Sequence, residues 1–389
     1  MNSHKNFDWL IVGGGIHGVH IAARILESLN NPQPKIGIID PWPSLMYRWH
    51  QCTSATGMSH LRSPAVHNLA IDPFDLQKFA GKRARYKQVY FKQPYSRPST
   101  KFFKKHSDLV IEKYKLDDFH IKAKVEKIHL SGDHVAMETT GGLNLEAKKG
   151  VLALGSSERL NIPDWALNKP NFYHIFSEDF VWPNNNGGEG LIIVGGGITA
   201  IQAALYASDL GFKVHMVARH ELRQHQFDSD PGWLGPKYMS GFLKEKCYKV
   251  RRSMIARARH RGSAPQELVV SIRKRIAEGK IAFHKANIEK AESSEQGVTL
   301  YCDHDTEVNA QKVLLATGFK KDRPGGQLID HLLSDYCLPT AACHYPILGS
   351  DLRWHPHLFV SGPLAELEIG PTARNISGAR SAAKRILGF

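Results

Sequence analysis

The sequence predicts an α/β fold of two doubly wound units, and three observations carry that expectation. The first is Gly13-Gly14-Gly15-Ile16-His17-Gly18, directly after the apolar run Trp9-Leu10-Ile11-Val12. The second is Gly195-Gly196-Gly197-Ile198-Thr199-Ala200, directly after Leu191-Ile192-Ile193-Val194. The third is a further apolar run after each turn, ending in Asp40 in one case and Arg219 in the other. Strand, glycine turn and helix in that order form the Rossmann-like dinucleotide-binding unit. Two such units in 389 residues predict two nucleotide cofactors held face to face.

Each turn has its own physical reason. The first glycine makes the tight bend, and the second lets a pyrophosphate approach the backbone. The third small residue, Gly18 or Ala200, lets helix and strand pack closely. The helices that follow, from about His17 and about Thr199, aim free N–H groups and a positive dipole end at the phosphates. Asp40 closes the second strand of the first unit, where a carboxylate suits the two hydroxyls of an adenosine ribose, so FAD is assigned there. Arg219 closes the second strand of the other unit, where an arginine accommodates a 2′-phosphate, so NADPH is assigned there. A solvated surface arginine is the alternative reading of Arg219.

The rest of the chain is organised around these units. Residues 1–165 are read as the first part of the FAD-binding domain, 190–318 as the NAD(P)H-binding domain inserted in it, and 319–389 as the C-terminal part of the first domain. Pro98 sits near the start of a helix expected from about Ser99 to Tyr114. Three alternating segments follow, Phe119–His129, His134–Thr140 and Leu143–Val151, split by Ser131-Gly132-Asp133 and Gly141-Gly142. They read as a small antiparallel β-meander, with Val151–Gly155 as a separate strand returning to the sheet. The polar stretch Pro163–Gly190 reads as a linker. Near the end, Leu358-Phe359-Val360 is a short strand before Ser361-Gly362-Pro363, and Gly370–Asn375 opens a helix running to about Leu387. Gly362, Thr372 and Ala373 are candidates for flavin contact, with a plain packed terminal helix as the alternative.

Composition fits a soluble enzyme. No apolar stretch approaches the ~20 residues that span a bilayer, and no secretory signal is expected at the N-terminus. The five cysteines (Cys52, Cys247, Cys302, Cys337, Cys343) form no C-x-x-C pair, which predicts free thiols, a reducing cytoplasm and no redox-active dithiol. The net charge of +14 gathers in two stretches. Leu76–Ser107 has ten basic residues and no acidic one, and Lys244–Arg275 has eleven basic residues. Such runs bind nucleic acid or an anionic membrane, attract NADPH, or are solvated faces. No nucleic-acid motif accompanies them, so no nucleic-acid partner is expected. His215, His220 and His225 recur every five residues, which is no metal-ligand spacing, and no metal is expected.

The order of the two turns, then Leu315-Ala316-Thr317-Gly318-Phe319 with Pro324, resembles the flavin-dependent N-hydroxylating monooxygenases, the lysine and ornithine hydroxylases. The likeness extends through Met58-Ser59-His60-Leu61-Arg62-Ser63-Pro64 and Tyr95-Ser96-Arg97-Pro98 with Phe102. The resemblance implies that NADPH reduces FAD, that reduced flavin takes up O2 as a C4a-hydroperoxide, and that a small substrate with a nucleophilic nitrogen or sulfur is hydroxylated. It also implies cofactor contacts from Thr317 and Gly318. The chain departs from the family at Arg62-Ser63, where the amino-acid hydroxylases carry a Lys-Asp pair. It departs again at Gln226–Gly235, where they carry an Asn-Glu-containing substrate stretch. Arg62 suits a carboxylate or phosphate on the substrate, and His50, His60 and His67 are candidate proton donors or flavin partners. Two other readings use the same units: an NAD(P)H:acceptor oxidoreductase, and a flavin-binding sensor with little turnover.

Overall fold

The computed structural model describes residues 5–29, 32–82, 88–185 and 187–388. Arg83, Arg85 and Lys87 of the first basic stretch, and Asn186 of the expected linker, lie outside the described residues. Two-residue strands and short turns aside, the first section supplies β1 (Lys5–Val12), α1 (Ile16–Ser28), β2 (Ile36–Asp40), α2 (Tyr47–Ala55) and α3 (Thr100–Lys113). It continues with β3 (His120–Lys122), β4 (Val125–Leu130), β5 (Val135–Thr139) and β6 (Asn144–Leu152). The middle section supplies β7 (Phe172–His174), β8 (Gly190–Val194), α4 (Ile198–Asp209), β9 (Lys213–Ala218), α5 (Pro236–Lys244), α6 (Tyr248–Ala258), α7 (Gln266–Ala277) and β10 (Ile281–Lys285). It ends with β11 (Ile288–Ser294), β12 (Gly297–Cys302), β13 (Thr306–Ala310) and β14 (Lys312–Leu315). The last section supplies α8 (Gly326–Tyr336), β15 (Arg353–His355), β16 (Leu358–Val360) and α9 (Ile376–Leu387).

The first sheet runs in the order β15-β16-β6-β1-β2-β3, with the β4–β5 hairpin attached through β5 to β6. β1 lies parallel to β2, in the register Trp9↔Ile36 to Val12↔Ile39, and parallel to β6 on its other side. Both faces of β2 and of Trp9–Val12 in β1 are covered, so these stretches are near-continuous apolar runs rather than alternating ones. The second sheet, β10-β9-β8-β14-β7, is parallel throughout. Its strands come from residues 172–315, between β6 and β15 of the first sheet. The chain therefore leaves the first sheet once, builds the second, and returns.

Local expectations needed correction where pairing overrode punctuation. Leu143–Val151 and Val151–Gly155 are not separate strands: one strand, β6, ends at Leu152, antiparallel to β5 near its start and parallel to β1 along most of its length. No turn residue interrupts it, and pairing on both sides holds it extended. Phe119–His129 is instead two strands, because β3 joins the β2 edge while β4 turns away to pair with β5. The stretch read as a linker contributes the edge strand β7, with Leu314 opposite Tyr173.

Helix α3 starts where expected, with Ser99 Oγ accepting from the Phe102 N–H at 3.3 Å. The terminal helix starts later than expected. Asn375 is extended (φ −95°, ψ 171°), so Pro371–Arg374 is a separate 3₁₀ turn before α9. Gly378 explains how closely the two approach. A Cβ there would collide with the Thr372 and Ala373 carbonyls. Ala379, Ala382 and Ala383 are buried, and α9 packs on α1.

Candidate functional site

The first glycine turn connects β1 to α1 and is crossed by β6. Gly13 has φ +114°, and a Cβ there would meet the Ala153 carbonyl oxygen at 2.6 Å. At Gly18 a Cβ would overlap the Gly13 carbonyl oxygen. Gly15, by contrast, has nothing within 4 Å of an added Cβ. The turn is thus tight where helix meets strand and open where a phosphate would approach the backbone, which fits a dinucleotide. The Gly14 N–H donates to Asp40 Oδ2 at 2.6 Å, and the Trp42 N–H donates to Oδ1 at 3.1 Å. Burial holds the Asp40 carboxyl above the usual carboxylate range, with these two N–H groups opposing the rise. Each oxygen keeps a lone pair for a ribose hydroxyl.

The C-terminal section reaches the same turn because β16 pairs with β6. Ser361 Oγ lies 2.8 Å from His17 Nδ1. Gly362, at φ +73°, sits against the Leu154 carbonyl and the His17 ring. Burial holds His17 down at about 4, against a hydrogen bond to the Asn375 backbone, so it is neutral at pH 7. Thr372 and Ala373 are buried in the following 3₁₀ turn.

The second turn opens onto a cavity of about 1180 Å³. Gly195, Gly196, Gly197, Ile198 and Thr199 line it, as do Arg219 at the end of β9 and Thr317 and Gly318 beyond β14. Ala200 is buried behind them in the helix–sheet core. The lining also contains Arg223, Arg259, Arg261 and Lys321, which sequence reasoning did not assign. Two signals were present: Arg223 follows Arg219 by four residues, and Arg259 and Arg261 belong to the second basic stretch. One carboxylate, Asp228, faces these cations, 2.7 Å from Arg259 Nη2. A wall so rich in guanidinium groups fits a polyanionic ligand.

Arg62 lies at this second cavity rather than at the first turn. Its Nε donates to the Gln226 carbonyl at 2.8 Å. Its Nη2 donates to the His225 and Phe227 carbonyls, at 2.6 and 2.9 Å, and to Ser263 Oγ at 3.0 Å. Burial lowers its pKa to about 10, which leaves it charged. The guanidinium expected to meet a substrate carboxylate thus spends these donors on backbone carbonyls and holds the 225–227 loop.

His50 and His60 do not join it in the cavity lining. His50 is on α2 beside Trp49, and burial lowers its pKa. His60 bridges to Ser99, and burial with Lys92 and Arg97 nearby lowers it too. Burial takes His67 down to about 4. The histidines at five-residue spacing also separate. His215 meets His284 at 3.1 Å on neighbouring strands, while His225 stacks on His260 with ring centroids 3.8 Å apart.

Known proteins carry the same architecture. Ornithine hydroxylase from Pseudomonas aeruginosa superposes with a TM-score of 0.76 at 17% identity, over 98% of each chain. The cadaverine monooxygenase of desferrioxamine biosynthesis from Erwinia amylovora gives 0.72 at 14% identity, over 99% of this chain and 95% of that one. Bacillithiol disulfide reductase from Bacillus cereus gives 0.63 at 16% identity, over 99% and 98%. At these identities the likeness is one of fold. Among curated proteins, a ferredoxin–NADP reductase from Ignicoccus hospitalis is 31% identical over 103 residues, 26% of this chain and 32% of that protein. The match thus spans about a third of that relative's length. All five cysteines here are free. The sequence profile of one family matches residues 7–231, more than half of the chain and both glycine turns. The chain belongs to the pyridine nucleotide-disulphide oxidoreductase family.

Proposed function

We propose that the protein is an FAD- and NADPH-dependent monooxygenase that hydroxylates a small substrate at a nucleophilic nitrogen or sulfur. The observation that carries this reading is the pair of glycine cradles, each between parallel strands of its own sheet, the second opening onto the arginine-rich cavity. The fold-level likeness to an ornithine hydroxylase and a cadaverine monooxygenase supports it.

The residues present suit both cofactors. Gly15 leaves room for the FAD pyrophosphate, Asp40 accepts from the adenosine ribose, and Gly362 keeps side chains away from the same turn. Arg219, Arg223 and Arg261 supply forked donors for the phosphates of NADPH, and Lys321 adds a point charge. Arg62 fixes the loop that carries Asp228 to the cavity. When bound, the nicotinamide supplies a hydride and the flavin supplies the oxygen chemistry. The neutral His17 ring keeps its position without adding charge beside the first cradle.

The test is NADPH oxidation and oxygen uptake by the flavin-loaded protein with primary amines and thioethers. Expected are equal consumption of the two and a hydroxylated product. Arg219→Ala raises KM for NADPH about tenfold and leaves NADH nearly unchanged, because only NADPH has the 2′-phosphate. A second reading, an NAD(P)H:acceptor oxidoreductase, takes its lead from the short match to a ferredoxin–NADP reductase. Fast reduction of an artificial acceptor with slow oxygen uptake would select it. Flavin that NADPH cannot bleach would overturn both in favour of a sensor.

A further inference from the structure

The cations of the second basic stretch have different surroundings: Arg261 lines the large cavity, Lys274 and Arg275 pair with Glu278 and Asp209, and those from Lys244 to Arg259 split into an inward and an outward set. The inward set is spent on ion pairs. Arg251 Nη1 reaches Glu368 at 3.0 Å and the Leu367 carbonyl at 2.9 Å. Arg252 pairs with Glu366, and Arg259 with Asp228. These cations tie α6 to the C-terminal section. The outward set has no such partner. Lys244, Lys246, Lys249 and Arg257 are exposed and make no ion pair among the described residues. Lys249 and Arg257 lie eight residues apart on α6, on the face away from the buried Arg251 and Ile255.

Exposed aliphatic side chains accompany these cations, Leu243 next to Lys244 and Val250 next to Lys249 in the chain, with Leu234 in the turn before α5. Leu234 is 52% exposed, Leu243 41% and Val250 39%. Carboxylates are outnumbered here: residues 230–258 contain Asp230 and Glu245 against seven lysines and arginines. Glu245 is half-buried and accepts from the Cys247 N–H at 2.7 Å, and Asp230 caps the Gly232 N–H at 2.7 Å. The face is therefore cationic with aliphatic projections, carried by two consecutive helices.

We propose that this outer face of α5 and α6 docks on an anionic lipid membrane. Lysines beside protruding leucine and valine match a surface that offers negative headgroups above hydrocarbon. A single-stranded nucleic acid would call for exposed aromatic rings to stack its bases, and the tyrosines of these two helices, Tyr238 and Tyr248, are half-buried, with Lys237 and Arg251 at 4.9 and 5.4 Å from their ring centroids. No helix among the described residues is long and apolar enough to cross a membrane, and the proposed contact needs none. α6 ends at Ala258, and the next residues, Arg259 to Arg261, line the large cavity. Docking would thus bring the cavity close to the bilayer surface.

The experiment is co-sedimentation of the full chain with phosphatidylcholine vesicles, with and without phosphatidylglycerol, at low and physiological salt. The protein is expected to bind the anionic vesicles, to ignore the neutral ones, and to bind less as salt rises. Lys244→Glu with Lys249→Glu should reduce partitioning about tenfold or more, and Leu243→Ser with Val250→Ser should reduce it several-fold. Circular dichroism and the thermal midpoint confirm that both double variants fold. Three results overturn the proposal: no binding of the parent protein to anionic vesicles at low salt, unchanged binding by both double variants, or tighter binding to DNA than to vesicles at equal salt.

Discussion

Arg62 shows how one side chain can be legible in type and misplaced in role. Its charge and position beside His60 pointed to a substrate anion. The fold instead surrounds it with three carbonyl oxygens from residues 225–227. No local pattern announces that a loop more than 160 residues away will present those oxygens. As a strut, Arg62 should act on binding more than on chemistry. Arg62→Gln is expected to raise KM for NADPH about tenfold through loss of charge-assisted hydrogen bonds, with kcat changed much less. Steady-state kinetics with varied NADPH would check this, and an unchanged KM with a collapsed kcat would return Arg62 to a direct role. Asp40 is the opposite case. Its place at the end of a strand after a glycine turn was readable, and its carboxylate lies on the Gly14 N–H.

At the scale of elements, helix α6 and the segment Glu366–Arg374 hold each other. Glu366 is 1% exposed and bears Arg252 on one side and Arg374 on the other, with Arg374 Nε at 2.8 Å. Arg374 also reaches the Tyr345 hydroxyl at 3.3 Å, and the Arg252 guanidinium lies 3.8 Å from the Tyr345 ring centroid. Its two arginines hold the Glu366 carboxyl below the usual range despite burial. Removing a buried carboxylate from between two cations leaves their charge uncompensated, a loss of about 3–5 kcal/mol. Glu366→Gln is therefore expected to lower the thermal midpoint by several degrees and to loosen the segment carrying Thr372 and Ala373. Thermal unfolding, with flavin affinity as the second readout, checks both. The Lys244–Arg275 run was visible in the sequence, but which of its cations turn inward was not. Spacing along a helix separates faces, and only the packed neighbour decides which face is buried.

The whole molecule carries a pH dependence set by buried histidines. Burial takes His17, His67 and His174 to about 4 and His20 to about 3, against 6.5 for the free group. A depressed folded value means that the unfolded chain binds protons first. Their contribution is fully present above pH 6.5 and is lost as pH falls toward 4 and below. Denaturant unfolding should therefore show stability flat from about pH 7 upward and falling steadily between pH 6.5 and 4. The slope should be shallower in His67→Gln, and an unchanged slope would remove that ring from the account. Across the fold, the first sheet closes around the second because β6 and β16 pair in parallel across about 200 residues of chain.

The primary structure alone determined the two strand–turn–helix units, the acid and the arginine that close their second strands, and the start of α3 at Ser99. Each is a local matter of glycine geometry, apolar runs or a capping hydroxyl, written within a few neighbouring residues. Only the tertiary structure decided that Gly362 meets the first turn, that Arg223, Arg259 and Arg261 join Arg219, and that Arg62 grips a distant loop. Those placements depend on strand order and on which helix face finds a partner. They are long-range contacts, and no short stretch of sequence encodes them.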